Sequence, residues 1–117
     1  MKLAIVGTRN PSVVYQEWEE LLLSNINVED VTMVVSGGAK GIDSYAKHFA
    51  SKYHKPLKEF LPDYAAYGRR APLIRNRQIV FEAEFVIAFP SSDSKGTLHA
   101  ISEAGKLGRR TVVVNLP

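Results

Sequence analysis

The run Val31-Thr32-Met33-Val34-Val35-Ser36-Gly37-Gly38-Ala39-Lys40-Gly41-Ile42-Asp43 constrains this chain more than any other stretch. An apolar strand, Val31 to Val35, empties directly into a glycine turn. An amphipathic helical pattern leaves that turn at once, with Ile42, Tyr45, Ala46, Phe49 and Ala50 on one face. A strand, a tight turn and a helix start in so few residues leave backbone N–H groups unpaired, with the positive end of a helix dipole behind them. Gly37 and Gly38 let a ligand approach the main chain, and Gly41 lets helix and strand pack tightly. The guest such a turn suits is a phosphate or another anion.

The rest of the chain repeats the same grammar. Lys2 to Val6 reads as a strand ending in Gly7-Thr8-Arg9-Asn10-Pro11, with Ser12 as the candidate N-cap of a helix carrying Val14, Trp18, Leu21 and Leu22 inward. Leu57 to Leu61 is the third strand, and Pro62 to Arg70 a loop. Pro72 suits the first turn of a helix that holds the polar triplet Arg75-Asn76-Arg77. Phe85 to Phe89 is a continuous apolar strand ending in Pro90-Ser91-Ser92-Asp93-Ser94-Lys95-Gly96-Thr97. The helix that follows is read with Leu98, Ile101 and Ala104 or Gly105 inward and Gly108 as its stop, and Thr111 to Val114 closes the pattern.

Strand and helix thus alternate, which calls for an α/β fold with helices on both faces of a five-stranded, mainly parallel sheet and right-handed crossovers. The order 3-2-1-4-5 is the most economical, because it puts the first strand where the winding reverses. Ligands in such sheets bind at the carboxyl ends of the strands beside that point. Gly7-Thr8-Arg9, Ser36-Gly37-Gly38 and Ser91 to Thr97 all fall there, and all are rich in small residues.

With 117 residues, 45% of them hydrophobic, the chain suits one domain over 1–117. No stretch approaches the roughly 18 apolar residues of a membrane span, and Met1 to Gly7 reads as a strand, not a signal peptide. Cysteine is absent, which excludes disulfides and thiolate metal sites and fits a cytoplasmic protein. His48, His54 and His99 lack metal-ligand spacing, so no metal is expected. The net charge is +3, but Arg69, Arg70, Arg75 and Arg77 crowd into one segment. That clustering suits a small anionic ligand or a short length of nucleic acid. Tyr64 and Tyr67 beside it suit either stacking on a base or sugar or a lid packed on its own surface.

These pieces resemble the SLOG superfamily, named for the Smf/DprA and LOG proteins, and most of all its small YspA-type members, often encoded in bacterial and phage genomes. The resemblance rests on Ile5 to Arg9, Val35 to Asp43, Ile74 to Arg77 and Ser94 to Thr97, in that order. It implies a Rossmann-like three-layer domain that binds a nucleotide or nucleotide-derived ligand as a sensor or binding domain, requires no further cofactor, and forms a homodimer. One branch of the superfamily implies single-stranded DNA as the partner instead. It resembles this chain at Gly7-Thr8-Arg9, Ser36 to Asp43 and Arg75-Asn76-Arg77. The LOG branch implies a nucleoside-monophosphate phosphoribohydrolase with a Gly-Thr-x-x-Glu motif, but here Gly96-Thr97 is followed by Ala100 in the glutamate's place. Glu103 or Asp43 would then have to supply the carboxylate.

The expected ligand contacts are therefore Gly7, Thr8 and Arg9; Ser36, Gly37, Gly38 and Gly41; Arg75, Asn76 and Arg77; and Ser94, Lys95, Gly96 and Thr97. Glycines offer backbone N–H groups, hydroxyls hydrogen-bond phosphate oxygens, and Arg9 and Lys95 neutralise charge.

Overall fold

The computed structural model describes residues 1–117. Its elements alternate as the sequence requires: β1 Lys2–Gly7, α1 Tyr15–Leu23, β2 Met33–Ser36, α2 Ile42–Lys52, β3 Leu57–Glu59, α3 Tyr64–Tyr67, α4 Ala71–Glu82, β4 Phe85–Phe89, α5 Lys95–Lys106 and β5 Arg110–Val113. All strand pairs are parallel and the order is β3-β2-β1-β4-β5. This is the expected Rossmann-like α/β fold, with β1 at the centre and the reversal between β1 and β4.

Alternation along β1 builds both layers of the core, since successive side chains point to opposite faces. Leu3 and Ile5 face α1 and α2, where they join Trp18, Leu22, Ile42, Phe49 and, from β4, Phe89. Ala4 and Val6 face α4 and α5, where they join Ile79, Val80, Ala83, Ala100 and Ala104. The second layer is built largely from alanine, which brings its two helices close to the sheet and to each other. No helix is long and apolar enough to cross a membrane. The outer strands are short, and they expose Lys58 and Glu59 on β3 and Arg110 on β5.

Several local details depart from the sequence expectation. Val14 is extended and acts as the N-cap of α1, so its side chain is out of helical phase and 57% exposed, while Val13 is buried instead. Ser12 caps nothing; its hydroxyl donates to the carbonyl of Pro117. On α5 the inward residues are Thr97, Ala100, Glu103 and Ala104, and Leu98 is 52% exposed. Small side chains won that face because α4 lies against it. β3 ends at Glu59, and the segment expected to be a loop contains α3 and a 3₁₀ turn at Gly68–Arg70.

Candidate functional site

A cleft of about 420 Å³ opens at the carboxyl ends of β1, β2 and β4. Gly7, Thr8, Arg9 and Asn10 form its floor, Gly37, Ala39 and Asp43 one wall, and Asp93 to Thr97 with Ala100 the opposite end. Pro72, Leu73, Arg75, Asn76 and Ile79 of α4 close the remaining side. The structure therefore brings together Gly7, Thr8, Arg9, Gly37, Arg75, Asn76, Ser94, Lys95, Gly96 and Thr97 from the expected set.

The other expected residues sit nearby in different roles. Ser36 is fully buried beneath the turn, with its hydroxyl toward Gly38 N–H at 3.5 Å. Gly38 lines a shallower depression next door, with Lys40, Leu61 and Pro62. Gly41 faces the β1 turn, where a Cβ would lie 2.5 Å from the carbonyl oxygens of Thr8 and Arg9. Ile42 N–H donates to that Thr8 carbonyl at 3.0 Å, and Gly7 has room for no Cβ against the Ile42 side chain. The two glycine loops are thus locked backbone to backbone. N–H groups of Gly37, Lys40 and Gly41 take no acceptor within the chain.

Gly37 makes room for an internal guest, not only for a ligand: a Cβ there would lie 2.5 Å from Arg75 Nη1. Arg75 is 9% exposed, and that Nη1 donates to the Gly37 carbonyl at 2.7 Å. Its Nε donates to Asn76 Oδ1 at 3.1 Å, and Asn76 Nδ2 donates across to the Gly96 carbonyl at 3.0 Å. The polar triplet on α4 is thus explained, because a buried guanidinium needs such partners. Burial, foremost, and the charge of Arg9 lower the Arg75 pKa against the pull of Asp43, yet an arginine stays protonated.

Asp43 lies in the first turn of α2, its Oδ2 accepting from Ala39 N–H at 3.0 Å. Burial raises its pKa, although the Ala39 N–H, Arg75 and the Ser36 hydroxyl work in the opposite direction. A carboxyl whose folded pKa is raised penalises the native state once pH climbs above its unfolded value, and the penalty is relieved as pH falls through the folded one. Asp43→Asn is therefore expected to raise the thermal midpoint at pH 7. It should also tighten anion binding severalfold, because it removes a negative charge from the cleft wall. A lower midpoint would show that the carboxylate is needed for folding.

The third loop is tied to the first through hydroxyls. Ser91 Oγ lies 3.1 Å from Thr8 Oγ1, 2.8 Å from Asp93 Oδ1 and 2.7 Å from Ser94 Oγ. Asp93 and Asn10 are lining residues that motif reading passed over, although both sit inside loops it had marked. Glu103 and Arg77 stand outside the cleft. Glu103 Oε1 meets His99 Nε2 at 3.3 Å, Arg77 Nε at 3.5 Å and Lys106 Nζ at 3.6 Å. Burial opposes its ionisation, but the charges of Lys106 and Arg77 hold its pKa below the usual carboxylate value. Ala100, not Glu103, reaches the cleft wall.

Arg9, Arg75 and Lys95 outnumber Asp43 and Asp93 in the cleft. Beside α4, Asp63 Oδ1 accepts from Ala66 N–H and sets the single turn of α3. That turn leaves Tyr64 and Tyr67 57% and 47% exposed, with Arg69 and Arg70 exposed next to them.

A model of the family described as DNA recombination-mediator protein A matches residues 1–59. The Gene 61 protein of Mycobacterium phage D29 is 34% identical over 82 residues, which is 65% of this chain and 66% of that protein. The structure is similar to DNA processing protein A (DprA) from Streptococcus pneumoniae, with a TM-score of 0.75 and 22% identity over 96% of this chain and 49% of that one. It is also similar to DNA processing protein A from Helicobacter pylori, a protein with a unique single-stranded DNA binding mode. There the TM-score is 0.73 and the identity 20%, over 97% of this chain and 64% of that one. The chain thus spans from about half to just under two thirds of the length of these relatives.

Proposed function

The chain belongs to the DNA recombination-mediator protein A family, and from that premise we propose that its cleft binds single-stranded DNA by seating a backbone phosphate between the β1 and β2 turns. The observation that carries this reading is that the family match, residues 1–59, includes both turns and the glycine lock between them. Unpaired N–H groups of the second turn and the guanidinium groups of Arg9 and Arg75 supply donors for a phosphate. Tyr64 and Tyr67 offer flat faces to the bases on either side, which is how single strands are held without regard to sequence. Lys40 of the neighbouring depression and the exposed Arg69 and Arg70 just ahead of α4 add positive charge.

The test is fluorescence anisotropy with labelled oligothymidylates of increasing length. Affinity is expected to rise with length and to fall with salt, the logarithmic slope being about −2 for roughly three neutralised phosphates. A second reading, a free nucleotide in the same cleft, is favoured by its volume, which lies within the usual range of small-ligand pockets. If a mononucleotide competes as well as the oligomer and length adds nothing, that second reading replaces the first. In either case the methyl group of Ala100 occupies the wall where the LOG motif would place a carboxylate, so release of free base is not expected.

A further inference from the structure

Asn76 is 6% exposed, and both ends of its amide are committed. Oδ1 accepts from Arg75 Nε at 3.1 Å, and a guanidinium can only donate. Nδ2 donates to the Gly96 carbonyl at 3.0 Å, which can only accept. These two partners fix which end of the amide is which. The same Nδ2 also faces His99 Nδ1 at 3.2 Å. A donor there requires a lone pair on Nδ1, which puts the imidazole proton on Nε2, the nitrogen that lies 3.3 Å from Glu103 Oε1.

We propose that neutral His99 is a positioning residue for the phosphate clamp, holding Asn76 and, through it, both the Arg75 guanidinium and the opening turn of α5. The role rests on the reading of the cleft given above. A second proton on His99 sets N–H against N–H at Asn76. Either that contact breaks or the amide turns over, and turning over opposes it to Arg75 Nε and to the Gly96 carbonyl at once.

The charges around the ring act unequally. Glu103 faces Nε2, and Arg77 and Lys106 share that carboxylate. Arg75 stands behind Asn76, and Lys95 lies one turn earlier on α5. β4 carries no charge, Lys2 of β1 is tied to Glu82, and Arg110 of β5 lies over the Phe85 ring at 4.6 Å. Acidification therefore loosens the clamp. Added positive charge alone would instead tighten binding of a polyanion, so the sign of the pH effect separates the two.

The experiment follows the affinity for a labelled oligothymidylate from about pH 8 to about pH 5, the interval in which histidines change charge. The unaltered protein is expected to weaken about tenfold on acidification, the scale of one unmet buried donor. His99→Asn places a carbonyl oxygen near the position of Nδ1 and cannot titrate, so it should abolish the acid weakening and leave only the tightening that protonation of Asp43 brings. His99→Leu should be weak throughout. Nitrogen-15 shifts of the imidazole in the free protein should report the Nε2–H tautomer at pH 8. Absence of binding by the unaltered chain at pH 8 would overturn the reading of the cleft. Normal binding with an Nδ1–H tautomer, or with a profile that His99→Asn leaves unchanged, would overturn the role of His99 alone.

Discussion

An Arg75→Ala protein will bind single-stranded DNA at least about a hundredfold more weakly than the unaltered chain and will unfold about 3 kcal/mol more easily. Both losses come from one side chain. Its guanidinium fills the space beside Gly37, satisfies the Gly37 carbonyl and lends positive charge to a buried Asp43. Truncation leaves that carbonyl and that carboxylate without their partner while also removing a cation from the cleft. Arg75→Lys keeps the charge but not the fork, because an ammonium cannot reach Gly37 and Asn76 with two fixed N–H vectors. It is expected to recover part of the affinity and little of the stability. Urea denaturation and anisotropy on the same samples decide the matter. Full affinity in a destabilised Arg75→Ala protein would mean that the arginine serves the fold and not the ligand.

The second large effect is expected at Gly41. Gly41 and Gly38 both have a positive φ, 77° and 68°, and Gly41 combines it with a ψ of −126°, outside the left-handed helical region. A side chain at positive φ costs about 1–3 kcal/mol in backbone strain at either site. Their neighbours differ. A Cβ on Gly38 meets the tip of Leu61, a side chain that is 64% exposed and free to swing aside. A Cβ on Gly41 meets the main chain of Thr8 and Arg9 at 2.5 Å, and that main chain is fixed by the pairing of Thr8 N–H with the Phe89 carbonyl. Gly41→Ala should therefore cost on the order of 4 kcal/mol, against about 1–2 kcal/mol for Gly38→Ala. Thermal melts of the two variants test this directly. Equal shifts would mean that the loops are less tightly locked than the geometry shows.

Much of this was legible in the residues. Apolar runs of strand length separated by helix-length patterns led to the parallel sheet and its order, because a parallel pair needs a crossover and crossovers have one hand. The three loops converged for the same topological reason. The polar triplet on α4 signalled partners, since Arg75 and Asn76 could not be buried otherwise. Other features were hidden. Leu98 looked like core, but periodicity fixes the width of a helical face and not its absolute phase when alanines carry the contact. The guest of Gly37 was read as a ligand, yet Arg75, far along the chain, takes that space. Arg77 and Arg75 are two residues apart in sequence and point to different neighbours, one to Glu103 and one into the cleft. The pairing of His99 with Asn76 spans two helices, and no motif carries it.

The short, charged outer strands have a consequence for behaviour in crowded surroundings. A sheet with unpaired borders is a template on which another chain can add a strand, and such growth has no natural end. Here β3 offers three residues and β5 four, with Lys58, Glu59 and Arg110 exposed on them. A newcomer would gain few ladder bonds and would have to cover ionised groups to gain them. The long, apolar strands that would be the hazard, β1 and β4, are flanked on both sides. Templated aggregation is thus disfavoured by the order in which the strands are laid down.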